Sequence, residues 1–432
     1  SDNNNPLGAS SLNPEDLKNM GLPFDPSMMQ GILEQMNTMF SINATPGSTP
    51  EQGVNWTGVK DQARRMIAAD SDPSIAENLK QATADAAHLA DLWLDSVTVF
   101  ERHNIPVEAW SKAEWLDASF NSWREMVEPV AAEVTQAMVL PGADNVPEEL
   151  TQLLGNSGFL NNLGSTFFGI QMAQALASLA NEVYSSTDIG FPLAPGRTAL
   201  LPNGFKTLGD EIEVPAQEVL LYLAVRESAL IRLHRTNPWL REDIMALVSR
   251  YARGIRVDMN RIQDAASQVN MHDPEAVQEA FEGGMFNPQR TEDQELAVER
   301  LEALLALIEG WVSFVADQAT QNLPKAPQIA ETFARRRVEG GPSEQVFETL
   351  VGLEIRPRMV REATAFWRDY DEKHGFEARD NLWLAPETLP TAKELENFKK
   401  YEDRVSEQLS FDDVDFDSEL KKLLDGGYDD NK

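Results

Sequence analysis

The sequence predicts a mainly α-helical, multi-helix body with at most a small β element, and three observations predict it. Apolar residues recur at helical spacing through most of the chain after Asn55. Recognisable helix starts stand before those runs, and the stretch dense in glycine and proline, 186–213, leaves room only for the short β-prone TALLP. The two ends depart from this pattern: an N-terminal arm too polar to offset the entropy of ordering, and an acidic C-terminal tail.

The arm covers residues 1–52 and is rich in Pro, Gly, Asn and Ser. Within it, Met28, Met29, Ile32, Leu33, Met36 and Phe40 recur at the spacing of a short amphipathic helix. A Met-rich apolar face suits docking into a groove, either on a protein partner or on the chain's own body, and the composition does not choose between them. From Asn55 the chain turns helical. Asp72 and Pro73 are expected to cap a long helix to about Glu101, Ser111 and Glu114 form a capping box for the next, and Pro129 is expected to open another. Residues 159–184 add a helix with Gly169, Ala173, Ala177 and Ala180 along one side, small enough for a neighbouring helix to approach closely.

After the Gly/Pro-rich region, Pro215 starts a helix through LAVRESALIRLHRT, and Pro238 starts its partner. Thr291 caps a long helix that ends before Pro324, and further helices are expected over Ala326 to Val338, from Pro342, and through REATAFWRDYDEK. The expected organisation is therefore an arm (1–52), an N-terminal helical region (53–185), a core (186–323), a C-terminal helical region (324–400) and the acidic tail (401–432), where Phe411, Phe416 and Leu420 interrupt the charge.

Composition limits what such a body can do. A formal charge of −33 argues against a general nucleic-acid binder and against an anionic membrane surface, because both need clustered Lys and Arg. No uninterrupted apolar run reaches the ~18 residues of a membrane span, and residues 1–30 carry no secretion signal, so a cytoplasmic protein without membrane insertion is expected. Cysteine is absent, which leaves His, Asp and Glu as metal ligands, and there are five histidines: His88, His103, His234, His272 and His374. The arginines at 335, 336, 337, 356, 358 and 361 sit among acids and are expected to pair with them. No GxSxG elbow, P-loop or dinucleotide fingerprint is present.

The chemistry concentrates in RESAL. A helix-borne zinc peptidase needs His at i and i+4, so that both imidazoles face one metal, and Glu at i+1 as general base for the bound water. Glu227 occupies the base position, but Arg226 and Leu230 stand where the imidazoles belong. His234 lies seven residues beyond Glu227, ~10.5 Å along a helix, so with metal–ligand bonds of about 2 Å the two would close on one ion only across a kink. Arg226 has Glu227 and Glu309 as candidate partners.

Several phrases, in this order, resemble the zincin-like metallopeptidase family of actinobacteria, often labelled zinc-dependent metalloprotease: VNWTGVKDQAR, SSTDIGFPL, EVLLYLAVRESALIRLHRTNPWLREDI with YARGI, LALIEGWVSFV, GLEIRPRMVREATAFW and RDNLWLAPETLPTAKEL. Together they span Val54 to Leu395. The resemblance implies a zincin-like core, Glu227 as the base and Glu309 of IEGW as the later acid, while Arg226 and Leu230 depart from its ligand pattern. Two functions follow as expectations. The first is a zincin-like protein that has lost its histidine zinc ligands, with Glu227 a vestigial base position, no cofactor, and a role in protein interaction or scaffolding. The second is a zinc-dependent peptidase with an unconventional site drawn from Glu227, Glu309, His234 and His272.

Overall fold

In the computed structural model, residues 53–137, 157–254, 290–340, 348 and 359–407 are described, and they fall within one compact unit that begins at Gly53. They are mostly helix, and their only strands are β1 (Val107–Ala109) and β2 (Thr198–Leu200), which pair in parallel with Val107 opposite Thr198. The Met-rich segment of the arm, the helix expected from Pro342, Arg356, Arg358, His272 and the tail beyond residue 407 lie outside the described residues. Among those described, no helix is long and apolar enough to cross a membrane.

Helix α1 (Trp56–Ala69) starts where Asn55 Oδ1 accepts from Gly58 N at 2.9 Å, and it buries the one-turn ladder Val59, Ala63 and Ile67. Helix α2 (Glu77–Leu94) buries Ala86, Ala87, Ala90 and Leu94 and packs against the later helix Ala216–Thr236. Its start corrects the sequence expectation. Asp72 does not cap it; the carboxylate instead accepts from the backbone N–H of Lys112 and Ala113, both at 2.9 Å, and so caps helix α3 (Lys112–Ala137) across 40 residues. The expected box at the same place is formed, with Ser111 N donating to Glu114 Oε2 at 2.8 Å and Glu114 N to Ser111 Oγ at 3.3 Å.

Pro129 likewise does not open a helix but sits inside α3. An interior proline costs about 3 kcal/mol. Met126, Val127, Val130 and Ala131 around it are each no more than 4 % exposed, and full burial of one such aliphatic side chain contributes ~1.5–3 kcal/mol, so packing carries the helix through. Helix α4 (Ser157–Ala180) lies against α1 and α3, and at Gly169 an added Cβ would stand 3.1 Å from Val59 Cγ2, the close approach its small-residue stripe allows.

A short helix, α5 (Phe205–Glu211), leads to α6 (Ala216–Thr236) and then α7 (Trp239–Arg253), which packs on α3. Helix α8 (Glu292–Ala319) begins with the expected Thr291 cap, completed by Gln294 as a full capping box, and packs on α6, on α7 and on the later helix Met359–Asn381. Helix α9 (Ala326–Val338) and helix α10 (Met359–Asn381) follow, and the four-residue α11 (Ala392–Leu395), with its own Thr391–Glu394 box, precedes a last helical stretch over 398–407. Six of the nine tryptophans, at 110, 115, 123, 311, 367 and 383, are no more than 2 % exposed, as expected of core residues; Trp367 stacks on Trp383 at 5.1 Å and donates to Leu307 O at 2.9 Å.

The α8–α10 crossing is tight because of Gly310. A Cβ there would meet Thr364 N at 2.7 Å and Ala363 Cβ at 2.8 Å, and neither helix can give way without losing its own packing. Gly310→Ala is therefore expected to destabilise the protein by about 1–3 kcal/mol despite alanine's better helix propensity, measured as a lowered denaturation midpoint with unchanged slope.

Candidate functional site

Helix α6 is buried on nearly every side, from Val219 to His234, yet it carries Arg226, Glu227, Arg232 and His234. Each of these needs a partner that the apolar interior does not supply. The fold provides a different one for each.

Glu227 meets hydroxyl groups. Strand β2 and the preceding segment lie alongside each other, with Ser186 N donating to Ala199 O and Leu201 N to Tyr184 O, both at 2.9 Å, and β2 packs on α6. This arrangement turns Ser186, Thr187 and Thr198 towards one carboxyl group. Ser186 Oγ and Thr198 Oγ1 donate to Glu227 Oε1, the latter at 2.7 Å, and Thr187 Oγ1 donates to Oε2. Burial pushes the Glu227 carboxyl above its ordinary range, while the hydroxyls of Ser186, Thr187, Thr198 and Ser185 pull it back without cancelling the rise. At 1 % exposure, with both oxygens engaged, Glu227 has no water-facing side.

Arg226 leaves the same turn of α6 towards α8. Its Nη2 lies 2.7 Å from Glu309 Oε1, its Nη1 donates to Ser313 Oγ at 3.3 Å, and its guanidinium sits 5.9 Å from the centre of the Phe333 ring on α9. Of the two acids available to it in sequence, the fold gives it Glu309. Arg337 of α9 meets the other oxygen of Glu309 at 3.3 Å and donates to Asp188 O at 2.7 Å, and Arg336 reaches Asp188 Oδ2 at 3.4 Å. A chain of alternating charge thus joins α6, α8, α9 and the loop around Asp188. Burial opposes the charge on both members of the central pair. Mutual attraction, with help from Arg337, holds Glu309 below the usual carboxylate range and Arg226 above the usual guanidinium value. Arg335 pairs within its own helix with Glu331 at 3.1 Å, so the described arginines of the α9 cluster meet acids or main-chain oxygens, as the sequence suggested.

His234 faces elsewhere. Its Nε2 lies 3.1 Å from Gly190 O, and Gly190 adopts φ +99°, a conformation that a side chain there would strain. Burial depresses the imidazole from its ordinary 6.5 to about 4. Arg232, 1 % exposed, ties α6 to α2 through Asp91 Oδ1 at 2.8 Å, Asp95 Oδ1 at 3.0 Å and Phe100 O at 3.2 Å. Leu230 is 3 % exposed within the hydrocarbon core. His88 is exposed on α2, and His103 is buried in the loop before β1.

The family model described as zincin-like metallopeptidase matches residues 54–401. The chain belongs to the zincin-like metallopeptidase family. A crystal structure from Chloroflexus aurantiacus, described as that of a hydrolase candidate with a novel fold, is similar over 82 % of this chain and 99 % of its own, at 18 % identity and a TM-score of 0.55, a likeness of fold. No curated protein matches.

Zincin chemistry implies zinc, and the donor set around Glu227 does not fit it. The first imidazole position carries Arg226, already engaged with Glu309; the second carries Leu230; and the nearest histidine on α6 is bound to a main-chain carbonyl. Among the described residues, no group of three or more His, Asp or Glu could hold a metal ion. Sequence reasoning missed the hydroxyl cage and Asp188, although SSTD and the Thr of TALLP were in view; their only local signal is a run of hydroxyl residues in a Gly/Pro-rich stretch.

Two outcomes are expected. Glu227→Ala removes the acceptor of three buried hydroxyls and lowers stability by roughly 2–4 kcal/mol, with Glu227→Gln costing less, as read from urea midpoints. Because the folded pKa of His234 lies below its unfolded value, the unfolded chain binds the extra proton between pH 6.5 and about 4. The His234 contribution is therefore fully present above pH 6.5 and is lost as pH falls through that window, on the order of 3 kcal/mol. His234→Gln, which keeps a donor for Gly190 O, should flatten that part of the stability profile.

Proposed function

We propose that this zincin-family chain does not hydrolyse peptides at its Glu227 helix and acts through contacts with other proteins. The observation that carries the first part is the engagement of Glu227. A general base must reach the proton it removes, directly or through one water, and this carboxyl spends both oxygens on Ser186, Thr187 and Thr198 in a site 1 % exposed. The positive charge beside it belongs to Arg226 and is committed to Glu309. The second part is supported by composition: the Met-rich face of Met28, Met29, Ile32, Leu33, Met36 and Phe40, and an acidic chain of net charge −33 with aromatic residues in its tail.

The family description favours a second reading, a zinc-dependent peptidase that completes its site with His272 alongside Glu227, Glu309 and His234. The two are separated by metal analysis and by activity on the full chain. Purified protein is expected to hold far less than one equivalent of zinc and to leave a peptide library intact with or without added metal. Chelator-sensitive cleavage that disappears in Glu227→Gln would instead establish the peptidase. For the partner, pull-downs with and without residues 1–52 are expected to differ by at least one specific protein, and identical sets would remove the arm from the proposal.

A further inference from the structure

We infer that Arg226 is an internal cation that stands in for a bound metal ion between α6 and α8. The inference rests on the reading that the Glu227 helix holds no zinc, and goes beyond it by assigning what replaced the ion. Three observations converge on Arg226. It directly precedes Glu227, the place of the first imidazole in a helix-borne zinc site. Its charged end lies 2.7 Å from Glu309, a carboxylate on a second helix of the kind that completes a two-histidine, one-glutamate zinc site. One turn along, Leu230 fills the second imidazole's place with buried hydrocarbon, as a cation that brings its own covalent tether permits.

The charges around the pair suit a fixed single positive charge. Glu309 is shared between Arg226 and Arg337, and Ser313 Oγ adds a contact at 3.4 Å. A divalent ion set beside Glu309 with both guanidiniums present would face two positive charges at close range. Glu227, by contrast, is held by hydroxyls with no cation at its oxygens, so the positive charge of the site lies on the Glu309 side of α6. The guanidinium cannot ionise a water for attack, because it is never a Lewis acid and remains protonated at any physiological pH. It can do the ion's other work, which is to hold an acid of α8 against α6.

The test exchanges the two kinds of cation. Arg226→Met leaves Glu309 short of a counter-charge and is expected to lower the melting temperature by at least about 5 °C. Adding Glu309→Gln is expected to recover at least half of that loss. A Met variant as stable as the native chain, or a Gln change that adds to the loss, would overturn the proposal. In the full chain carrying Arg226→His and Leu230→His, Zn²⁺ alone is expected to bind at one equivalent and raise the melting temperature, and Glu309→Ala is expected to abolish both effects. Zinc taken up equally well without Glu309, or not taken up by the folded double variant, would place the lost ion elsewhere. If the histidine variant does not fold, the Met and Gln pair still decides. Zinc in the native chain would overturn the preceding proposal, an outcome distinct from any of these.

Discussion

Helix α6 is enclosed by other elements along most of its length and still carries two arginines, a glutamate and a histidine. A charge taken into such an interior costs several kcal/mol unless it is matched, so four of the segments around α6 are each tied to it by a polar partner. Helix α2 supplies acids for Arg232, α8 supplies Glu309 for Arg226, β2 and the segment before it supply hydroxyls for Glu227, and the turn at Gly190 supplies a carbonyl for His234. Hydrophobic packing would let these elements slide by fractions of a turn. The four polar engagements do not, because each requires a donor–acceptor distance near 3 Å.

The same logic recurs two residues along α8 from Glu309. Asp380, fully buried, accepts from Thr98 Oγ1 at 2.6 Å, Val99 N at 3.0 Å and Trp311 Nε1 at 2.9 Å, with Arg379 beside it at 2.8 Å. One carboxylate thus joins α10, α8 and the loop after α2. The small parallel pair of β1 and β2 has a role out of proportion to its size, since it brings Thr198 and the neighbouring serine and threonine hydroxyls over α6. The Glu227 carboxyl is part of a closed hydrogen-bonded set. Family membership and active chemistry are separate properties, because function resides in the site rather than in the fold.

Local signals were legible. The capping box at Ser111–Glu114, the Thr291 cap and the helix after Pro215 involve residues within a turn of one another, so their physics is written in adjacent letters. Asp72 had the right chemistry for a cap, but its target was a helix start 40 residues on, and no local pattern distinguishes the two. Pro129 carried the ordinary helix-opening signal, and burial of its neighbours overrode it.

The sequence by itself determined the helical class, the absence of thiol chemistry, and that arginine and leucine stand at 226 and 230, because composition and register on one helix need no third dimension. It also offered Glu309 as a candidate for Arg226. Only the tertiary structure decided between Glu227 and Glu309 as that partner, turned His234 towards Gly190, and closed three hydroxyls over Glu227. Those outcomes depend on which elements pack together across tens of residues of chain. They are set by the cost of leaving a buried charge or carboxyl without a partner, a condition on the whole fold rather than on any segment of it.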